Sequence, residues 1–126
     1  GSGMIALLED EMDEIAFLNM VKTKLNCSAL KHTRLCHKKV RKVAVCGGSG
    51  FFLLPQAIAA GADAFITSDI KYHQFFDADG RILLIDAGHY ETEQFTMMLI
   101  KDLLIKNFTT FAIRLTKVDT NPVKYI

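Results

Sequence analysis

The chain has only three cysteines, Cys27, Cys36 and Cys46, and no two of them form a C-x-x-C pair. That spacing excludes a zinc ribbon and gives no disulfide framework of a small secreted domain, so reduced thiols and a cytoplasmic setting are expected. Also lacking is any uncharged apolar run near the roughly 20 residues that a membrane span requires. The first residues hold no basic start followed by an apolar segment, so no export signal is expected. An excess of one charge is missing as well: 15 Lys and Arg against 14 Asp and Glu leave a formal net charge of +1. Such a balance gives no sequence-wide attraction to nucleic acid or to an anionic membrane. The one basic cluster, Lys38 to Lys42 (KKVRK), has Val40 in its middle and an apolar strand behind it, and reads as a solvated strand entry.

What is present is a core. Of 126 residues, 50% are hydrophobic and 23% charged, the profile of one soluble globular domain. Residues 1–12 open with GSG and run into acid, which reads as a linker or in part a cloning scar; a single α/β domain is expected over 13–126. Ile15, Leu18, Val21 and Leu25 recur at helical spacing after Asp13, a candidate N-cap, and Asn26 offers a stop. Residues 29–35 read as a weak strand. Thereafter strands are expected at 43–46, 64–67, 81–86 and 110–116, and helices near 52–60, 70–78 and 89–106, with Gly61 and the Ala78-Asp79-Gly80 turn as punctuation. Short strands alternating with helices imply βαβ units and a mixed, largely parallel sheet with helices packed against it. The helix expected over 89–106 has only Thr96, Lys101, Asp102 and Lys106 as a polar stripe. A helix so widely apolar is expected to be covered on more than one side, by the sheet, another domain or another subunit.

Ligands collect where the carboxyl ends of the strands of an open α/β sheet meet loops and helix N-termini. Three stretches end there. CGGSG (46–50) has glycines that would let backbone N–H groups approach an anion, which makes Gly48 and Ser49 candidates for substrate contact. It lacks the third glycine of a dinucleotide fingerprint, since position 53 is Leu53, and the Lys of a nucleotide P-loop, so a plain tight turn is the alternative. TSDIKYH (67–73) crowds Asp69, Lys71, Tyr72 and His73 behind a strand; Asp69 is a substrate-binding candidate and His73 a general acid or base, against the alternative of a helix cap and solvated surface. In ILLIDAGHYETE (82–93), His89 and Glu93 stand four apart on one helical face, a half-site for zinc, manganese or iron. Complementing the helix dipole would explain Glu91 and Glu93 but not His89, whose ring is expected neutral beside the positive helix end. Two ligands are too few for useful affinity; Asp86 or His73 could add a third.

Taken together and in order, KVAVCGGSGFFLL, AIAAGADAFITSDIKYH and LLIDAGHYETE resemble the C-terminal half of the dinuclear-metal family known as GTP cyclohydrolase I type 2 homologues, or Nif-three-like proteins. The opening GSGMIALLEDEMDEIAFLNMVKTKL is similar to that family's linker and entry helix, so the resemblance covers essentially the whole chain. It implies one half of a duplicated two-lobed protein in which two divalent ions lie between the halves. His89 and Glu93 fall on the second half's ligands, His73 on a histidine lining the same cavity, and the first-half ligands are absent here. The resemblance further implies a ring-like hexamer and a metal-dependent hydrolase acting on a nucleotide or phosphoester. A non-catalytic metal-binding regulatory module is the alternative. For this chain alone, weak or no metal occupancy and no activity are expected.

Overall fold

The computed structural model describes residues 2–126; Gly1, the first residue of the expected linker, lies outside them. The elements run β1 (Met4–Asp13), α1 (Glu14–Lys24), β2 (Lys31–His32), β3 (Lys39–Val45), a 3₁₀ turn (Phe51–Leu53) leading into α2 (Leu54–Ala59), β4 (Ala64–Thr67), a 3₁₀ helix (Tyr72–Ala78), β5 (Leu83–Asp86), α3 (His89–Glu93) and α4 (Thr96–Asn107). The sheet order is β1-β3-β4-β5-β2. The central pairs β3 with β4 and β4 with β5 are parallel, while β1 and β2 add antiparallel edges. The expected mixed α/β sheet is therefore what forms.

Strand alternation sorts the apolar residues into two cores, one on each face. Val43, Ala64, Leu83 and Ile85 point toward Phe17, Leu18 and Val21 of α1. Their neighbours Ala44, Phe65 and Leu84 point the other way, toward Leu54, Ala57, Ile70 and Ala78. Leu83, Leu84 and Ile85 are all fully buried, as befits a strand covered on both faces. Helix α1 stops where Asn26 takes a left-handed φ of 53°, letting the Cys27 amide reach back to the Lys22 carbonyl at 2.9 Å. Just beyond it the Cys27 thiol is buried and donates to the Ala87 carbonyl, and burial pushes its pKa up to about 11.

Several local expectations are corrected. Most of the linker expected over 1–12 is strand: Met4 to Leu7 pair with Val45 to Lys42, and after a bulge Met12 and Asp13 pair with Val40 and Lys39. The acidic run hid this, because an edge strand takes its order from the neighbour's backbone rather than from its own burial. Asp13 precedes α1 but makes no cap hydrogen bond; its carboxylate pairs with Lys39 Nζ at 2.9 Å. The weak strand at 29–35 shrinks to two residues, and β3 begins within the basic run, four residues earlier than expected. Helix 89–106 is two helices, with Gln94 at the join donating its amide to the carbonyls of Leu25 and Glu91. Residues 110–116 form no strand, since alternation without a partner edge makes no ladder. Within this chain α4 is not covered: Met97, Leu99 and Leu103 are each more than half exposed.

Buried Glu14 opens α1 and ties down the segment before β3, accepting from the amides of Cys36 at 2.7 Å and His37 at 2.9 Å. Replacing it leaves two amides without their acceptor. Glu14→Ala is expected to lower stability by about 1–3 kcal/mol in urea unfolding and to speed hydrogen exchange at Cys36 and His37. Unchanged exchange there would show that the carboxylate does not hold this segment.

Candidate metal site

The carboxyl ends of β3, β4 and β5 bring three loops together. Gly48, at φ 63°, knots them. Its carbonyl accepts from the amides of Gly50 and Ser68 and from the Thr67 hydroxyl, and its own amide donates to Thr92 Oγ1 at 3.0 Å. The Gly50 amide also donates to Thr67 Oγ1 at 2.8 Å. These two amides are thus spent inside the loop rather than offered to an anion. Thr67 and Thr92 were not singled out by sequence reasoning, because only the fold brings them onto this loop.

His89 stands at the start of α3, behind Gly88 at φ 89°. Its Nε2 lies 3.3 Å from Glu93 Oε2, and its Nδ1 lies 2.6 Å from Asp69 Oδ2. Ser49 Oγ donates to that same Asp69 oxygen. The structure therefore brings together Ser49 from the first loop, Asp69 from the second, and His89 and Glu93 from the third. The ring is half exposed at 52%, and so is the Glu93 carboxylate at 53%.

The Asp69 hydrogen bond raises the His89 pKa above the ordinary imidazole value, with lesser help from Glu93. Asp69 in turn is held below the usual carboxylate range, first by the Ser49 hydroxyl and then by His89.

A divalent cation fits this pair on two counts. Ligand atoms about 2.0–2.2 Å from one ion stand roughly 3.0–3.4 Å from each other, and the 3.3 Å between Nε2 and Oε2 lies in that range. The space beside them also exists only because residue 48 has no side chain: a Cβ there would sit 2.6 Å from Glu93 Oε1 and 3.3 Å from His89 Nε2. Among the described residues no group of three His, Cys, Asp or Glu side chains is placed to hold an ion.

The pair borders a cavity of about 580 Å³ whose charged lining is Asp69, Asp86, Glu91, Glu93 and Lys31, a field that favours cations. Asp86 does not complete the ligand set. Its buried carboxylate accepts from the amides of Ile70 and Gly88 and pairs with Lys31 Nζ at 2.6 Å. His73 is exposed on the 3₁₀ helix and does not line this cavity. Sequence reasoning also passed over Asn121 and Tyr125, which line the cavity from the far end of the chain and show no motif.

Comparison with known proteins is consistent in direction. The family model Duf34/NIF3 (NGG1p interacting factor 3) matches residues 1–122. A GTP cyclohydrolase 1 type 2 homolog of Staphylococcus aureus is 34% identical over 131 residues, covering 100% of this chain and 36% of that protein. One from Staphylococcus epidermidis is 33% identical over 129 residues, covering 99% and 35%. The crystal structure of a Staphylococcus aureus hypothetical protein superposes with a TM-score of 0.91 at 32% identity, over 98% of this chain and 43% of that one. A Bacillus cereus protein related to NIF3 gives a TM-score of 0.83 at 29% identity, over 100% and 36%. This chain thus spans well under half the length of the proteins it matches.

Two outcomes follow from the geometry. Gly48→Ala is expected to cost about 1–3 kcal/mol in chemical denaturation, from the left-handed backbone and from displacement of the Glu93 carboxylate. Wild-type stability in that variant would show that the cradle is not tight. In the metal-free chain, the His89 ring followed by NMR should titrate above a free imidazole, and Asp69→Asn should bring it down. A raised folded pKa means that this pair's stabilisation is complete below the unfolded pKa and disappears as pH rises through the folded one.

Proposed function

The chain belongs to the Duf34/NIF3 family, and from that premise we propose that it is the C-terminal half of a dinuclear divalent-metal protein, in its whole form a metal-dependent hydrolase of a nucleotide or phosphoester. The observation that supports this reading is the Gly48 cradle: a Cβ there would crowd Glu93 Oε1 and His89 Nε2, the two groups whose 3.3 Å spacing suits one ion. His89 and Glu93 would hold the ions from this side, and the missing N-terminal half of the same protein would supply the remaining ligands. When bound, two ions of zinc, manganese or iron supply Lewis acidity, making water a better nucleophile near neutral pH and neutralising charge on an oxyanion.

This chain's own residues would do the rest. Lys31 lines the cavity with its ammonium held by Asp86 and would meet an anionic substrate only by sharing that charge, while Ser49 and Asp69 are turned toward His89. His73 would reach the substrate only if the other half folded the cavity across the 3₁₀ helix. Assembly of the whole protein into a homo-oligomer, a hexamer as the family resemblance implies, would cover the apolar face of α4.

A second reading has its own support. Because no three ligands gather among the described residues, an ion bound here bridges two surfaces, and such an ion could fix an assembly or sense metal without turning over substrate.

Manganese titration by calorimetry, paired with hydrolysis assays on GTP and on bis(p-nitrophenyl) phosphate, separates these readings. The whole protein is expected to bind manganese tightly and to hydrolyse one of the two only when metal is present; this chain alone should bind weakly and do neither. Metal binding without metal-dependent turnover would favour the regulatory module. Micromolar binding by the chain alone would mean that its ligands are misassigned.

A further inference from the structure

We infer that Ser49, Asp69 and His89 form an orienting relay, in which Asp69 keeps the His89 proton on Nδ1 so that the Nε2 lone pair faces the cavity beside Glu93, and Ser49 holds Asp69 in place. The inference rests on the metal reading above and deepens it by assigning positioning residues.

An ionised carboxylate only accepts, and of the ring's two carboxylate neighbours Asp69 Oδ2 is much the nearer, 2.6 Å from Nδ1 against 3.3 Å from Nε2 to Glu93, so the single proton of the neutral ring sits on Nδ1. In the neutral ring the other nitrogen is then the free donor to a metal, the arrangement by which outer carboxylates set a ligand's tautomer and ring angle. The three residues come from the loops after β3 and β4 and from the start of α3, so the relay ties the ring to two other loops and not only to its own short helix.

The exposure of the pair argues against a purely structural purpose. Asp69 and His89 side chains are 47% and 52% exposed, and ion pairs that open to water add little stability. Asp69 also adopts φ 59°, a backbone state that glycine or asparagine would occupy as readily, so what aspartate adds there is the charged acceptor. Ser49 is not an activated nucleophile. Its hydroxyl donates to the carboxylate oxygen that the ring also uses, and no ring nitrogen is placed to take its proton.

The test uses labelled, metal-free protein above the pH at which the ring loses its charge, with long-range proton–nitrogen NMR reading the His89 tautomer. Wild type should show Nδ1–H. Asp69→Ala should shift the ring mainly to Nε2–H, and Asp69→Asn, which suits the same backbone but can turn either its oxygen or its amide to Nδ1, should lose the fixed Nδ1–H preference and give a mixture. In the whole protein, manganese affinity should fall about 10–100-fold in either variant, the range found when such outer partners are lost. Ser49→Ala should weaken it by less than the Asp69 variants do. An unchanged tautomer, or an affinity within about two-fold of wild type, overturns the relay. A wild-type protein that takes up no manganese would sink the metal reading itself, and because the tautomer is read without metal, that failure stays distinct from failure of the relay.

Discussion

The backbone of Gly48 is the constraint on which the site depends. Its carbonyl gathers donors from its own loop and from the end of β4, its amide anchors α3 through Thr92, and its missing side chain leaves the gap that His89 and Glu93 border. A residue with a Cβ would strain the left-handed backbone and push the Glu93 carboxylate at the same time. Loop geometry and ligand geometry are in this sense one requirement.

The division between structure and chemistry follows carboxylate burial. Glu14 and Asp86 are buried and satisfied by backbone amides, so they hold the segments around them and have little acceptor capacity left for a ligand. Asp69 and Glu93 lie at the cavity and are half exposed, with their charges directed at one imidazole. Sequence alone offers Asp69 as a substrate contact and Asp86 as a possible third metal ligand. What separates them is depth: Asp86 is the last residue of β5 and stays inside the sheet, whereas Asp69 lies two residues beyond β4 on a left-handed turn.

The unfinished surfaces agree with a chain that spans about a third to two-fifths of its relatives. Helix α4 carries its apolar residues exposed, residues 108–126 have no regular structure, and His89 and Glu93 have no third metal-ligating side chain gathered with them among the described residues.

Sequence by itself determined the central parallel strands, the helix after Asp13, the Gly61 stop and the pairing of His89 with Glu93, because hydrophobic periodicity and four-residue helical spacing are local properties. The motif strings also sufficed to identify the family. Only the tertiary structure decided that residues 4–13 are an edge strand, that 110–116 are not a strand, and that Asp69 and Ser49 meet beside the His89 ring. Those outcomes depend on which backbone edge or side chain arrives from elsewhere in the chain, and hydrogen bonds between residues 20 positions apart leave no period for a sequence to display.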